Sequence, residues 1–241
     1  MRRNLSRQVL LSPESFLRSI NIRYDADFPE RIAHFHPTAK TIPFLKSLLG
    51  EESDRGFFVV APYGSGKSIT ATYLLHLIEN RSKSANVLEL IGKRLANINS
   101  EIAKFDSKRR VQKRHGLVLI LHGYLESIAK SIKSSALEAM DRVKLGREAH
   151  SVEVMSCNNI DEAIRLLIEI KLKARKAEID RILIIWDEFG RHLESLINEG
   201  KSSALLEIQT LAEFVSRSKD IPITLGLLLH RDIYYYVGNT A

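Results

Sequence analysis

The chain has 241 residues, 44% hydrophobic and 27% charged, which supplies enough apolar side chain for a sizeable core and excludes an intrinsically disordered chain. Its one cysteine, Cys157, excludes an intrachain disulfide framework and agrees with a reducing, cytoplasmic setting, while apolar runs such as 116–121 and 182–186 are far too short to span a membrane. The formal net charge of +7 points to an anionic partner, either nucleic acid or nucleotide phosphate. Although Arg2 and Arg3 are basic, no apolar h-region follows them, so the start does not read as a signal peptide.

Residues 1–54 form a lead-in that reads as mostly helical. Ser12-Pro13-Glu14-Ser15 has the pattern of a helix start, followed by Phe16, Leu17 and Ile20 at helical spacing. A second start falls at Pro37-Thr38, and the stripe Ile42, Leu45, Leu48 and Leu49 runs to Gly50, with Pro43 limiting how early that helix begins. Residues 28–37 are irregular. In them His36, Pro37 and Thr38 are candidates for contact with a nucleotide base, a plain surface loop being the alternative.

Residues 57–70, FFVVAPYGSGKSIT, organise the chain. An apolar strand, 57–60, enters a turn of Pro62, Tyr63, Gly64, Ser65 and Gly66, and a helix opens at Lys67, Ser68 and Ile69. This order suits a polyphosphate: glycines let backbone N–H groups wrap the anion, and the helix N-terminus behind them favours negative charge. Lys67 would then reach the β- and γ-phosphates, and the Ser68 hydroxyl would ligate Mg²⁺. The P-loop pattern G-x-x-x-x-G-K-[ST] is not fully kept, because Ala61 stands at its first position.

Beyond the helix, expected from Lys67 to about Asn80, the set Val87, Leu88, Ile91, Leu95, Ile98 and Ile102 predicts one core-facing helix to about Phe105. The stretch Lys104 to Arg114 is strongly basic and reads either as a solvated face or as a site for DNA or RNA. Residues 117–121 form a strand covered on both faces, closed by His122 and Gly123, after which Tyr124, Ile128, Ile132 and Leu137 mark a helix. A lone histidine in the place of His122 is expected to be structural. Residues 143–159 show little periodicity; a helix then runs from Ile160 to about Ile179, with Ile164, Leu167, Ile168 and Leu172 on one face.

The strand at 182–186 ends in Asp187-Glu188, the pairing that phosphoryl chemistry asks of a Walker B strand. Asp187 would hold Mg²⁺ beside Ser68, and Glu188 would act as general base toward water. A helix from about Ser203 to Ser216 follows, and Pro222 introduces a fourth buried strand, 223–229, ending in His230-Arg231-Asp232. His230 stands where a γ-phosphate sensor would sit. Arg231 is an alternative phosphate contact, and Arg217 a candidate arginine finger for a neighbouring subunit.

The stretches APYGSGKS, IIWDEFGRHLE and LLEIQTLAEFVSRS, with LGLLLHRD after them, resemble the N-terminal ATPase module of large bacterial P-loop proteins related to the ATPases of BREX-type phage-defence systems. The resemblance covers about residues 30–236. It implies an additional-strand P-loop ATPase: α/β, three-layered, with a mostly parallel sheet of order 5-1-4-3-2. It also implies ATP at Lys67, Ser68, Asp187 and Glu188, with Arg191 or His230 near the phosphate. Members of that group are longer, so residues 55–241 are expected to form a core lacking the fifth strand and lid, with the strand at Phe57 left as an edge.

Together these readings assign catalysis to Glu188, Lys67 and His230, nucleotide binding to residues 63–69, Tyr63 through Ile69, and the metal to Ser68 and Asp187. The cofactors expected are ATP and Mg²⁺, with a protein partner or second copy of the chain as a further partner. The expected activity is ATP hydrolysis in a nucleic-acid-directed, anti-phage assembly. A nucleotide switch or scaffold of low turnover and a nucleic-acid module with a degenerate loop are the alternatives. The guanine-specific N-K-x-D pattern is missing from the sequence, which favours adenine.

Overall fold

Four parallel strands form one sheet: β1 (Gly56–Val60), β2 (His115–His122), β3 (Ile179–Asp187) and β4 (Ile223–Leu229), in the order β1-β4-β3-β2. The computed structural model describes residues 20–49, 54–200 and 202–238, so the helix start at Ser12-Pro13 lies outside the described residues. Strands β2, β3 and β4 are near-continuous aliphatic runs and are buried along most of their length, as parallel strands covered on two faces require. β1 instead alternates exposed and half-buried residues and, among the described residues, is an edge strand.

Helices cover both faces. One face carries Leu117, Leu119, Ile182, Ile184, Trp186, Leu225 and Leu227, packed under α6 (Ile128–Arg142), α8 (Ile160–Lys176), α9 (Phe189–Asn198) and α10 (Ser202–Ser216). The other face, with Val118, Ile120, Leu183, Ile185 and Leu228, meets α3 (Lys67–Glu79) and α2 (Ile42–Leu49). The lead-in joins this second core through Ile22 of α1 (Ile22–Asp25), Ile32 and Phe35. Arg94 ties it down, donating to the carbonyls of Ala33 and Phe35 at 2.7 Å each.

Several elements differ from the sequence reading, each for a local reason. The helix expected over 87–105 is two, α4 (Ala85–Ala96) and α5 (Ser100–Val111). Asn99 is extended and its side chain accepts the Ile102 N–H at 2.9 Å, an N-cap that outcompetes continuation of the helix. Residues 143–159 hold a short helix, α7 (Gly146–Glu153), whose one buried residue is Val152. α8 ends at Lys176 and buries Ala163, Leu166, Leu167, Ile170 and Ala174, leaving Ile168 and Leu172 exposed. Its two alanines, too small to count in an apolar stripe, set which face turns inward. α6 begins at Ile128 behind its Ser127 cap, so Tyr124 lies in the loop before it, and α9 falls where the sequence pattern predicts no element.

The basic stretch Lys104 to Arg114 is corrected in part. Arg109, 3% exposed, is committed to the fold: it holds Asp180 at 2.7 Å and donates to the carbonyls of Leu77 and Ile78. Arg110 pairs with Asp106, which also accepts the Tyr73 hydroxyl. Lys104, Lys108, Lys113 and Arg114 remain exposed. No helix among the described residues is long and apolar enough to cross a membrane.

Two stability effects follow. Arg109→Ala leaves buried carbonyls and the Asp180 carboxylate without their partner and should cost about 3–5 kcal/mol in urea unfolding. His76 is fully buried against Ser84, and burial, reinforced by Arg81, pushes its pKa down to about 3. The unfolded chain therefore binds that proton first, and stability falls as the pH drops below about 6.5, by up to about 1.4 kcal/mol per unit from this group. His76→Gln should remove that share of the fall between pH 7 and pH 5.

Candidate functional site

The carboxyl ends of parallel strands all point to one edge of a sheet, and the segments that leave them meet there. β1 leads into residues 61–66. Ala61 continues the ladder, its N–H bonded to the Leu229 carbonyl at 3.1 Å, so the chain does not need glycine at this point. The turn comes later, at Gly64 (φ 73°) and Gly66 (φ 86°), both in the left-handed region that favours glycine. α3 opens directly behind Gly66, and the Thr70 hydroxyl bonds the Gly66 carbonyl at 2.7 Å, securing the helix start.

Lys67 folds back over this loop. Its ammonium donates to the carbonyls of Ala61 and Pro62, and burial lowers its pKa against the opposing pull of Asp187. Ser68 turns the other way: its hydroxyl donates to Asp187 Oδ2 at 3.0 Å, joining the helix start to the end of β3. Asp187 is 4% exposed, and its second oxygen accepts the Glu188 N–H at 3.0 Å. Glu188 takes a left-handed conformation (φ 53°) as the chain turns sharply from β3 into α9. Its carboxylate meets Arg191 at 3.0 Å and lies 3.7 Å from His122 Nε2.

His230, the first residue past β4, stacks on Tyr63 with ring centroids 3.5 Å apart and planes 19° from parallel. Both its ring nitrogens are enclosed and have no hydrogen-bond partner among the described residues. Its pKa is lowered, first by burial and then by Lys67 and Arg191, with Glu188 and Asp187 opposing.

The structure thus brings together Tyr63, the loop through Ser68, Asp187, Glu188 and His230. Other candidates make different contacts. A cleft of about 240 Å³ beside the loop is lined by Lys40, Thr41, Pro43 and Phe44, and not by the expected His36, Pro37 and Thr38. Arg231 lies over the Tyr235 ring, 4.0 Å from its centroid, and Arg217 pairs at 3.6 Å with Glu213 of its own helix. His122, expected from its sequence position to be structural, stands opposite Asp187 in the β2–β3 register and beside Glu188. The signal that marked His230, a histidine directly after a buried strand, applied equally to it.

Aromatic packing anchors this edge. Trp186 donates to the Gly123 carbonyl at 3.0 Å, and His192 Nδ1 accepts the Leu125 N–H at 3.2 Å, so β3 and α9 together hold the turn after β2. On the other side of α9, the Tyr236 ring of α11 (Ile233–Gly238) lies over Gly190, where a Cβ would meet its hydroxyl at 2.3 Å. No family model, curated protein or solved structure matches the chain. Gly190→Ala must displace Tyr236 and should destabilise the protein by about 1–3 kcal/mol, read from the urea midpoint.

Proposed function

We propose that the chain is a P-loop ATPase that binds Mg-ATP at the carboxyl edge of its sheet and hydrolyses the β–γ phosphoanhydride bond. The observation that carries this reading is the Ser68–Asp187 hydrogen bond, 3.0 Å, between residues 119 positions apart. It sets the start of the helix behind a glycine-rich loop against a strand-end carboxylate. Two hard oxygen donors at this separation suit Mg²⁺, which keeps water and takes further oxygens from phosphate. When bound, the ion would neutralise charge on the phosphate oxygens.

The chain's own residues supply the rest. Backbone N–H groups at the start of α3 favour the anion, and Lys67 exchanges the carbonyls of Ala61 and Pro62 for phosphate oxygens. The Glu188 carboxylate accepts a proton from water as the water oxygen bonds to the γ-phosphorus, and the bond to the β-phosphate oxygen breaks. His230 would bond the γ-phosphate. The cleft with Thr41, Pro43 and Phe44 offers the base an apolar seat beside the loop.

For the assembly, the exposed Lys104, Lys108, Lys113 and Arg114, the net charge of +7 and the resemblance to phage-defence ATPases support a nucleic-acid-directed role. A second reading, a nucleotide switch of low turnover, is favoured by the Arg191–Glu188 pair, which occupies the carboxylate needed as base.

Titration with labelled ATP should show Mg²⁺-assisted binding that weakens at least about tenfold in Lys67→Ala, the loss of one charge-assisted contact. Glu188→Gln should keep binding while turnover falls about 10²- to 10⁴-fold. Binding without measurable turnover in the unsubstituted protein would select the switch.

A further inference from the structure

Tyr63 is unusual among the loop residues. Its side chain is 70% exposed, yet its ring is stacked on His230 at 3.5 Å, so one contact spans from the tip of the loop to the end of β4. Pro62 before it and the left-handed Gly64 after it shape the backbone that presents the ring. The imidazole beneath has both nitrogens shut away from solvent and unbonded among the described residues. A buried donor and acceptor without partners is an unfavourable state that a suitable ligand relieves.

The charged groups facing His230 come from three elements: Lys67 at the start of α3, Asp187 and Glu188 at the end of β3, and Arg191 in α9. The two cations disfavour a proton on the ring, and the two carboxylates favour it. A polyphosphate held by Lys67 would change this balance, bringing anionic oxygens to an imidazole that lacks a partner. The same movement draws Lys67 off the carbonyls of Ala61 and Pro62, the residues directly before Tyr63.

We propose that Tyr63 is a positioning residue that acts through His230: its stack holds the imidazole unpartnered beside the loop, and seating of the γ-phosphate exchanges that stack for a His230–phosphate contact. This rests on the ATPase reading above. Tyr63 then opposes loading, because the binding-competent loop is the unstacked one and apparent affinity scales with its population. Removing a side chain from the binding loop should therefore tighten binding.

Two measurements on the whole chain test this. The first is an NMR pH titration of the histidine side chains without nucleotide, with His230→Asn to assign the signal. Tyr63→Ala should raise the His230 pKa toward the ordinary histidine range, while Tyr63→Phe, which keeps the ring, should leave it low. The second is titration with fluorescent ATP: Tyr63→Ala should bind about two- to tenfold more tightly, the range that an aromatic pair of ordinary strength imposes, and Tyr63→Phe should not show this gain. An unmoved His230 titration in Tyr63→Ala, or weaker ATP binding by it, overturns the proposal. ATP binding that is undetectable, or equal in Lys67→Ala, removes the ATPase reading, and this inference with it. That failure appears in the unsubstituted protein and in Lys67→Ala, so it is distinct from a failure confined to Tyr63.

Discussion

The parallel pairing of β1, β4 and β3 is the constraint on which everything else depends. Val60 lies opposite Leu229 and Trp186 opposite Leu227, so three strands end at nearly the same height. Parallel strands deliver all their carboxyl ends to one edge, which places the loop after Val60, the Asp187-Glu188 pair and His230 side by side although they are far apart in sequence. An antiparallel neighbour would have sent one of these groups to the opposite edge.

That pairing is maintained by burial on two faces and by ionic anchors away from the site. The apolar cores above and below the sheet supply the non-directional part. Arg109 with Asp180, Arg142 with Glu79 at 2.8 Å, and Arg81 with both Glu79 and Asp27 fix which helix lies where. Glu79 is fully buried, and burial raises its pKa against the pull of Arg142, its first counter-charge, and of Arg81. Buried ion pairs of this kind add little net stability but heavily penalise a wrong partner. Three arginine side chains that count toward the net charge are thereby committed to the fold, and a charge count by itself overstates the basic surface left for a partner.

At the site, most polar groups are engaged within the chain. Lys67 bonds loop carbonyls, Ser68 bonds Asp187, Glu188 forms an ion pair with Arg191, and Tyr63 covers His230. Each of these contacts engages a group that phosphoryl transfer would use. On the proposed ATPase reading, nucleotide binding would exchange these internal contacts for ligand contacts, at a cost in affinity. α9 links the exchange to the rest of the edge, since Glu188, Arg191 and His192 belong to one turn that touches the loop after β2.

The sequence by itself determined the local pieces: three uninterrupted aliphatic runs that could only be buried strands, the glycines at 64 and 66, and the Asp187-Glu188 strand end. It also determined the break behind Asn99, whose capping chemistry is local, although periodicity across 87–105 concealed it. Tertiary structure decided the partnerships. Which of the six basic residues in 104–114 would be buried depended on Asp180 and the carbonyls of Leu77 and Ile78 arriving from distant segments. Which face of α8 turned inward depended on two alanines fitting against neighbours, and the nearness of His122 to Glu188 on the β2–β3 register. Those outcomes are set by contacts between residues tens of positions apart, and no local pattern of side chains encodes them.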